Sequence, residues 1–295
     1  MTALPFILLA FVPLSLIGLV VEILRRWETT GEPGAQAPGR ERLLRSAGQF
    51  ASTRIAALDG KLMETVVVIA CLPPLLSFGY FYPLNLMPSL PAELWPVIFW
   101  GGSGLYLGLL IRLLALRRER CRWRLTLRGE RAVGEELNQL LATGCQVFHD
   151  FPAGEGWHVD HVIVGPPGVF AVDTRTRRNH KLPGNRTAYK VDYDGRSLRF
   201  EGSDYWDTDE LDQARGQAVR LGRFLSQSLG AKVEVKPILT FPGWHVTSQR
   251  LGDVRVVNPT AIRACISAED PSTLPPELIG AVACLLEQKC RDVEF

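Results

Sequence analysis

The stretch Val159-Asp160-His161-Val162-Ile163-Val164-Gly165-Pro166-Pro167-Gly168-Val169-Phe170-Ala171-Val172-Asp173-Thr174-Arg175 decides the fold. Two short apolar runs rich in β-branched residues flank a Gly-Pro-Pro-Gly turn, and each is too short for a helix, so together they predict a β-hairpin of central strands. If the turn is symmetric about the two prolines, Val164 meets Val169, Val162 meets Ala171, and Asp160 stands opposite Asp173. Side chains alternate along a strand, so Asp160, Asp173 and Arg175 share one face, and directly opposed Cβ atoms lie about 4.5–5.5 Å apart. Two carboxylates so placed repel unless a cation neutralises them. Either a divalent metal does this, or Arg175 does in a purely structural ion-pair cluster.

Around the hairpin, Gly129 to Leu141 repeats apolar residues every three or four positions and predicts an amphipathic helix, followed by a short strand over Cys145 to Phe148. Lys190 to Tyr193 and Ser197 to Phe200 flank Asp194-Gly195, a turn pair suited to a second hairpin. Leu211 to Leu229 predicts a helix, Val233 to Thr240 and Val254 to Val257 strands, and Pro275 to Cys290 a terminal helix. His158 is expected on the face of Asp160, where it can assist a metal or phosphate, and His161 on the opposite, packed face. Trp206 and Trp244 fit core or lid positions better than base-stacking platforms.

The motifs Gly129-Glu130-x-x-Val133-x-x-x-Leu137-x-x-Leu140, Val159-Asp160-His161, Gly165-Pro-x-Gly168 and Val172-Asp173-x-Arg175, with Leu211-Asp-Gln213-Ala downstream, together resemble the nuclease-related domain (NERD) family. The resemblance covers roughly Arg128 to Ile266. It implies kinship with the PD-(D/E)xK nucleases and a restriction-endonuclease-like mixed sheet flanked by helices. It also implies site roles: Asp160 and Asp173 as the metal ligands for Mg²⁺ or Mn²⁺, Arg175 in the place of the usual lysine, Glu130 as the helix glutamate and Gln213 as the later glutamine. Two positions depart from the family pattern. Asp173-Thr174-Arg175 stands for Glu-x-Lys, and Asp209-Glu210 for Asn-Pro. Asp keeps the charge on a shorter arm, whereas Arg keeps the charge but, with a pKa above about 12, loses any role as a base. Arg177, Arg178 and Lys181 extend a basic stretch after the second strand that can contact phosphates of a nucleic acid or simply stay solvated. The two activity readings are metal-dependent phosphodiester hydrolysis and a catalytically degenerate fold that binds nucleic acid or a protein partner.

The chain has 295 residues, 46% hydrophobic, with a net charge of +2 that names no partner by itself. Six cysteines without a Cys-x-x-Cys pair argue against a zinc knuckle or a disulfide framework. The N-terminal third is far more apolar than the rest. Ala3 to Val21, Val66 to Leu86 and Leu94 to Ile111 each approach the ~20 residues a bilayer core requires. This predicts transmembrane helix 1 in residues 1–24, a basic linker in 25–62, a transmembrane hairpin in 63–116, a basic juxtamembrane linker in 117–127 and the NERD-like domain in 128–295. Arginines between and after the spans then place the chain in the inner membrane, three spans, with the C-terminal domain in the cytoplasm.

Overall fold

The computed structural model describes residues 43–86, 94–152, 157–179, 181, 186–250, 252–269 and 274–293. The chain divides into two compact units, residues 1–37 with 54–122, and residues 38–53 with 123–295.

Two long helices, α1 (Gln49–Leu86) and α2 (Leu94–Asn138), supply the described part of the first unit and run on into the second. Within the first unit Arg120 Nη2 donates to Asp59 Oδ2 at 2.9 Å, a link between the two helices. The expectation of three membrane spans is corrected here: among the described residues no helix is long and apolar enough to cross a membrane. The reason lies in the composition of the helices. Asp59, Lys61 and Glu64 interrupt α1 just before its valine run, while Gly101, Gly102, Ser103, Gly104 and Gly108 dilute α2 and Arg112, Arg117 and Arg118 charge it. The fold class with transmembrane helices and the integral-membrane partner are corrected accordingly: the described residues form a mixed α/β structure with no helix able to cross a membrane. The inner-membrane location with a cytoplasmic C-terminal domain is corrected as well, because among the described residues the charge asymmetry has no span to orient. Residues 1–24, the first expected span, and the loop 87–93 lie outside the described residues.

The second unit is a mixed α/β structure. Its main sheet has the order β2-β3-β4-β7-β9, formed by Gln146–Pro152, His158–Gly165, Gly168–Thr174, Val235–Thr240 and Arg255–Val257. The first three strands are antiparallel, and β4, β7 and β9 are parallel. The hairpin register is the one the symmetric turn predicts, with Val164 opposite Val169 and Val162 opposite Ala171. Gly168 closes the turn at φ 130°, a conformation that disfavours side chains.

The strands are buried on both faces, as their continuous apolar runs require. On one face Phe151, Val162, Val164, Val169 and Ala171 pack with Leu221 and Leu225 of α3 (Asp209–Leu229). Val282 and Leu286 of α5 (Pro276–Cys290) complete that layer. On the other face Ile163, Phe170 and Val172 meet Val133 and Leu137 of α2, with Ile262 and Ile266 of α4 (Ile262–Ser267). A second sheet, order β6-β5-β8, joins Leu198–Phe200, Lys190–Tyr193 and His245–Ser248. The Asp194-Gly195 hairpin is present, and β8 adds to it in parallel, a strand the sequence reading did not anticipate. A two-stranded pair of β1 (Leu43–Leu44) with β10 (Arg291–Val293) ties the residues before α1 to the end of α5.

Candidate metal centre

The hairpin brings acidic residues of three neighbouring strands to one level. Asp160 lies on β3. Asp173, on β4, is one step beyond the pair His161–Val172, and Asp150, on β2, sits between the pairs His149–His161 and Phe151–Val159. Asp150 has φ 50°, which breaks the regular pleat at that point. All three are buried.

Glu130 enters from α2. The preceding residue explains how the helix comes so close: a Cβ on Gly129 would overlap the Cγ2 of Thr176, just beyond the end of β4. Glycine here lets the backbone pack against the strand exit and carries Glu130 into the acidic cluster. The Glu130 side chain is 2% exposed and has no hydrogen bond or ion pair with any described residue.

Electrostatics within the cluster is uneven. Burial, reinforced by the charges of Asp160, Asp150 and Asp173, pushes the Glu130 carboxyl up to about 9. Burial and the neighbouring Asp160 likewise raise Asp173, to about 7, against the opposing pull of Arg175. Burial also dominates at Asp150 and raises it, although its Oδ2 accepts the backbone N–H of Phe50. Asp160 goes the other way. Burial works against its ionised form, but the hydrogen bond from His158, the charge of that ring and the Thr174 N–H outweigh it. The corresponding distances are 3.3 Å from His158 Nε2 to Asp160 Oδ1 and 2.7 Å from Thr174 N to Asp160 Oδ2. For His158 burial favours the neutral ring, and the bond to Asp160 overcomes it and raises the pKa. Asp160 is thus the focus of negative charge.

Three side chains form a group suited to holding a cation: Glu130, His158 and Asp160 each offer one donor atom, all within 4.8 Å of one another. Two carboxylate oxygens and an imidazole nitrogen, one carboxylate buried without a partner, suit a divalent ion. Asp173 lies outside this group. Arg175 donates to its Oδ2 from Nε at 3.0 Å and from Nη2 at 2.8 Å.

The structure places the remaining expected residues around this centre rather than in it. Gln213 lines a cleft of about 290 Å³ together with Arg175, Thr176, Arg177, Asp207, Asp209 and Glu210. Arg177 donates to Glu210 Oε1 from Nη2 at 2.6 Å and from Nε at 3.0 Å, and its guanidinium stacks 3.9 Å above the Phe200 ring. Its charge is already engaged within the protein. Arg178 and Lys181 are exposed. His161 is fully buried on the opposite face, its Nδ1 2.9 Å from His149 Nδ1, so one ring donates and the other accepts. Burial and the charge of His149 push it down to about 3, so it remains neutral. Trp206 is exposed and the guanidinium of Arg199 lies 4.9 Å from its ring, whereas Trp244 is buried and donates from Nε1 to the carbonyl of Arg177 at 3.1 Å.

Sequence reading did not find Asp150 or the contribution of residues 45–50. Phe50 stacks on His158 with ring centroids 4.4 Å apart, and Arg45 donates to the carbonyl of Asp150 at 3.2 Å. Nothing in the local sequence signals these contacts, which span about a hundred residues of chain. Asp150 does carry a signal, since counting the β2–β3 register would have set it beside Asp160.

No characterised protein and no solved structure matched the chain in searches of each. Residues 126–242, which contain Glu130, Asp150, His158, Asp160, Asp173, Arg175 and Gln213, match the model of the nuclease-related domain.

Proposed function

We propose that the second unit is a metal-dependent phosphodiesterase acting on DNA or RNA, with the architecture of the PD-(D/E)xK nucleases. The observation that carries this reading is the buried Glu130, whose carboxylate lies with donor atoms of His158 and Asp160 within 4.8 Å of one another, in the segment that matches the nuclease-related domain. Burying a carboxylate among others is strongly unfavourable unless a proton or a cation neutralises it. A divalent ion would do so: Glu130 and Asp160 would hold Mg²⁺ or Mn²⁺, which when bound would supply Lewis acidity toward a phosphate oxygen.

The chain's own residues set the stage for that chemistry. The Thr174 N–H fixes one oxygen of Asp160 and leaves the other facing His158 and Glu130. Asp173 orients Arg175 through two N–H donors, and the Arg175 side chain, 31% exposed, forms part of the cleft wall. There its guanidinium can bind a phosphate with the planar geometry that suits such oxygens. Arg178 and Lys181 extend the positive surface toward a longer strand.

The same fork of Arg175 onto Asp173 favours a second reading, in which Arg175 acts as an internal counter-ion and the domain binds nucleic acid or a partner without cleaving it. Cleavage assays on the full chain separate the two. We expect wild-type protein to cut DNA or RNA with Mg²⁺ or Mn²⁺, chelator to stop it, and Arg175→Lys to retain activity. Binding with no cleavage by wild type, and cleavage gained in Arg175→Lys, would establish the second reading instead.

A further inference from the structure

We propose that His158 is a metal ligand, and that the Glu130–His158–Asp160 set selects an ion of the Mn²⁺ type over Mg²⁺; this rests on the metal-dependent reading above. Three independent features of the geometry converge on it. His158 Nε2 is turned toward the cluster, 3.3 Å from Asp160 Oδ1. The ring is held in that orientation by stacking on Phe50, with the planes inclined by 26°. Glu130, nearly wholly buried and without a hydrogen-bond or ion-pair partner among the described residues, completes the set from the helix side.

Donor spacing agrees with a shared ion. Ligands about 2.1 Å from one metal stand at most ~4.2 Å apart, and the three donor atoms here lie within 4.8 Å of one another, so small side-chain rotations close the set. Donor chemistry then decides between ions. Mg²⁺ favours an all-oxygen octahedral shell and keeps its waters, whereas imidazole nitrogen is accepted by the first-row transition ions from Mn²⁺ onward. A shell with one imidazole and two carboxylates therefore favours Mn²⁺. Asp173, held by Arg175, is left to position that guanidinium instead of joining the ion.

The test is metal binding by the full chain, read by calorimetry and by electron paramagnetic resonance of bound Mn²⁺ with detection of nitrogen coupling. We expect Mn²⁺ to bind at least about tenfold more tightly than Mg²⁺, with a ¹⁴N coupling from one imidazole. His158→Gln should abolish that coupling and weaken Mn²⁺ by about tenfold or more while leaving Mg²⁺ within about threefold. His158→Glu, which restores an all-oxygen set, should shift the preference toward Mg²⁺. Mn²⁺ bound without nitrogen coupling, or His158→Gln with unchanged Mn²⁺ affinity, would overturn the assignment even if the protein cleaves nucleic acid. Nitrogen-coupled Mn²⁺ in a protein that cuts nothing would uphold His158 as a ligand and overturn only the phosphodiesterase reading. Failure of wild type to bind either ion would overturn both.

Discussion

Glu130 and Asp160 share a cluster but differ in protonation. Asp160 has His158 and the Thr174 N–H to stabilise its charge, while at Glu130 burial and the charges of Asp160, Asp150 and Asp173 all favour the proton. A carboxyl raised from 4.5 to about 9 retains its proton in the native state over a pH range where the unfolded chain has released it. The unfolded state then binds fewer protons, so stability contributed by neutral Glu130 is present below the unfolded pKa and is lost as pH rises toward about 9. Asp173 adds the same sign between 3.8 and about 7. Metal-free protein is therefore expected to show a thermal midpoint that falls as pH increases across this window. Glu130→Gln, which mimics the protonated form, should remove much of that slope and bind divalent metal less well. Circular-dichroism melts at a series of pH values in chelator measure it, and equal slopes in the two proteins would exclude a native protonated Glu130. The shared face and register of Asp160 and Asp173 were legible in the sequence because strand alternation and pairing are local rules, whereas Glu130 came only from the family resemblance. The protonation pattern was not, because it depends on burial and on partners far along the chain.

Each element of the second unit delivers its residue to the centre by a local rule of its own. The β3–β4 hairpin sets Asp160 against Asp173 through its turn, and that register was readable by counting outward from Pro166 and Pro167. Helix α2 was readable as amphipathic, yet the depth to which it packs was not. That depth depends on Gly129 lying against Thr176, a contact across forty-seven residues that periodicity does not encode. Gly129→Ala is expected to push α2 off the end of β4, at a cost of about 1–3 kcal/mol from overpacking. Because Glu130 moves with the helix, divalent-metal affinity should fall more than for an alanine at exposed Arg131, where no such contact exists. Denaturant unfolding together with metal titration reports both effects. Unchanged metal affinity in Gly129→Ala would show that Glu130 reaches the centre independently of this packing. Strand β8 escaped the sequence reading because four residues after a Pro-Gly turn, three of them polar, carry too little apolar alternation to stand out.

At the scale of the whole molecule, the apolar N-terminal third misled and the polar remainder did not. Hydropathy suggested three spans, but charged and glycine-rich stretches leave no described helix long and apolar enough to cross a membrane. The short apolar runs, by contrast, were legible as a hairpin of central strands, and in the structure helices cover both faces of their sheet. The nuclease-related match spans residues 126–242, whereas Phe50 and Arg45 reach the same centre from outside it. The site is thus assembled from a family segment and a preceding piece of chain. The activity proposed for this centre is hydrolysis of nucleic acid with a bound divalent ion. Its most direct test is to strip metal from the full chain, incubate it with labelled DNA and RNA, and add back Mn²⁺ or Mg²⁺ to wild type and to Asp160→Ala. Cleavage is expected to appear only on metal addition and to drop by at least about a hundredfold in Asp160→Ala. Cleavage that persists in Asp160→Ala, or none by folded, metal-loaded wild type, would contradict it.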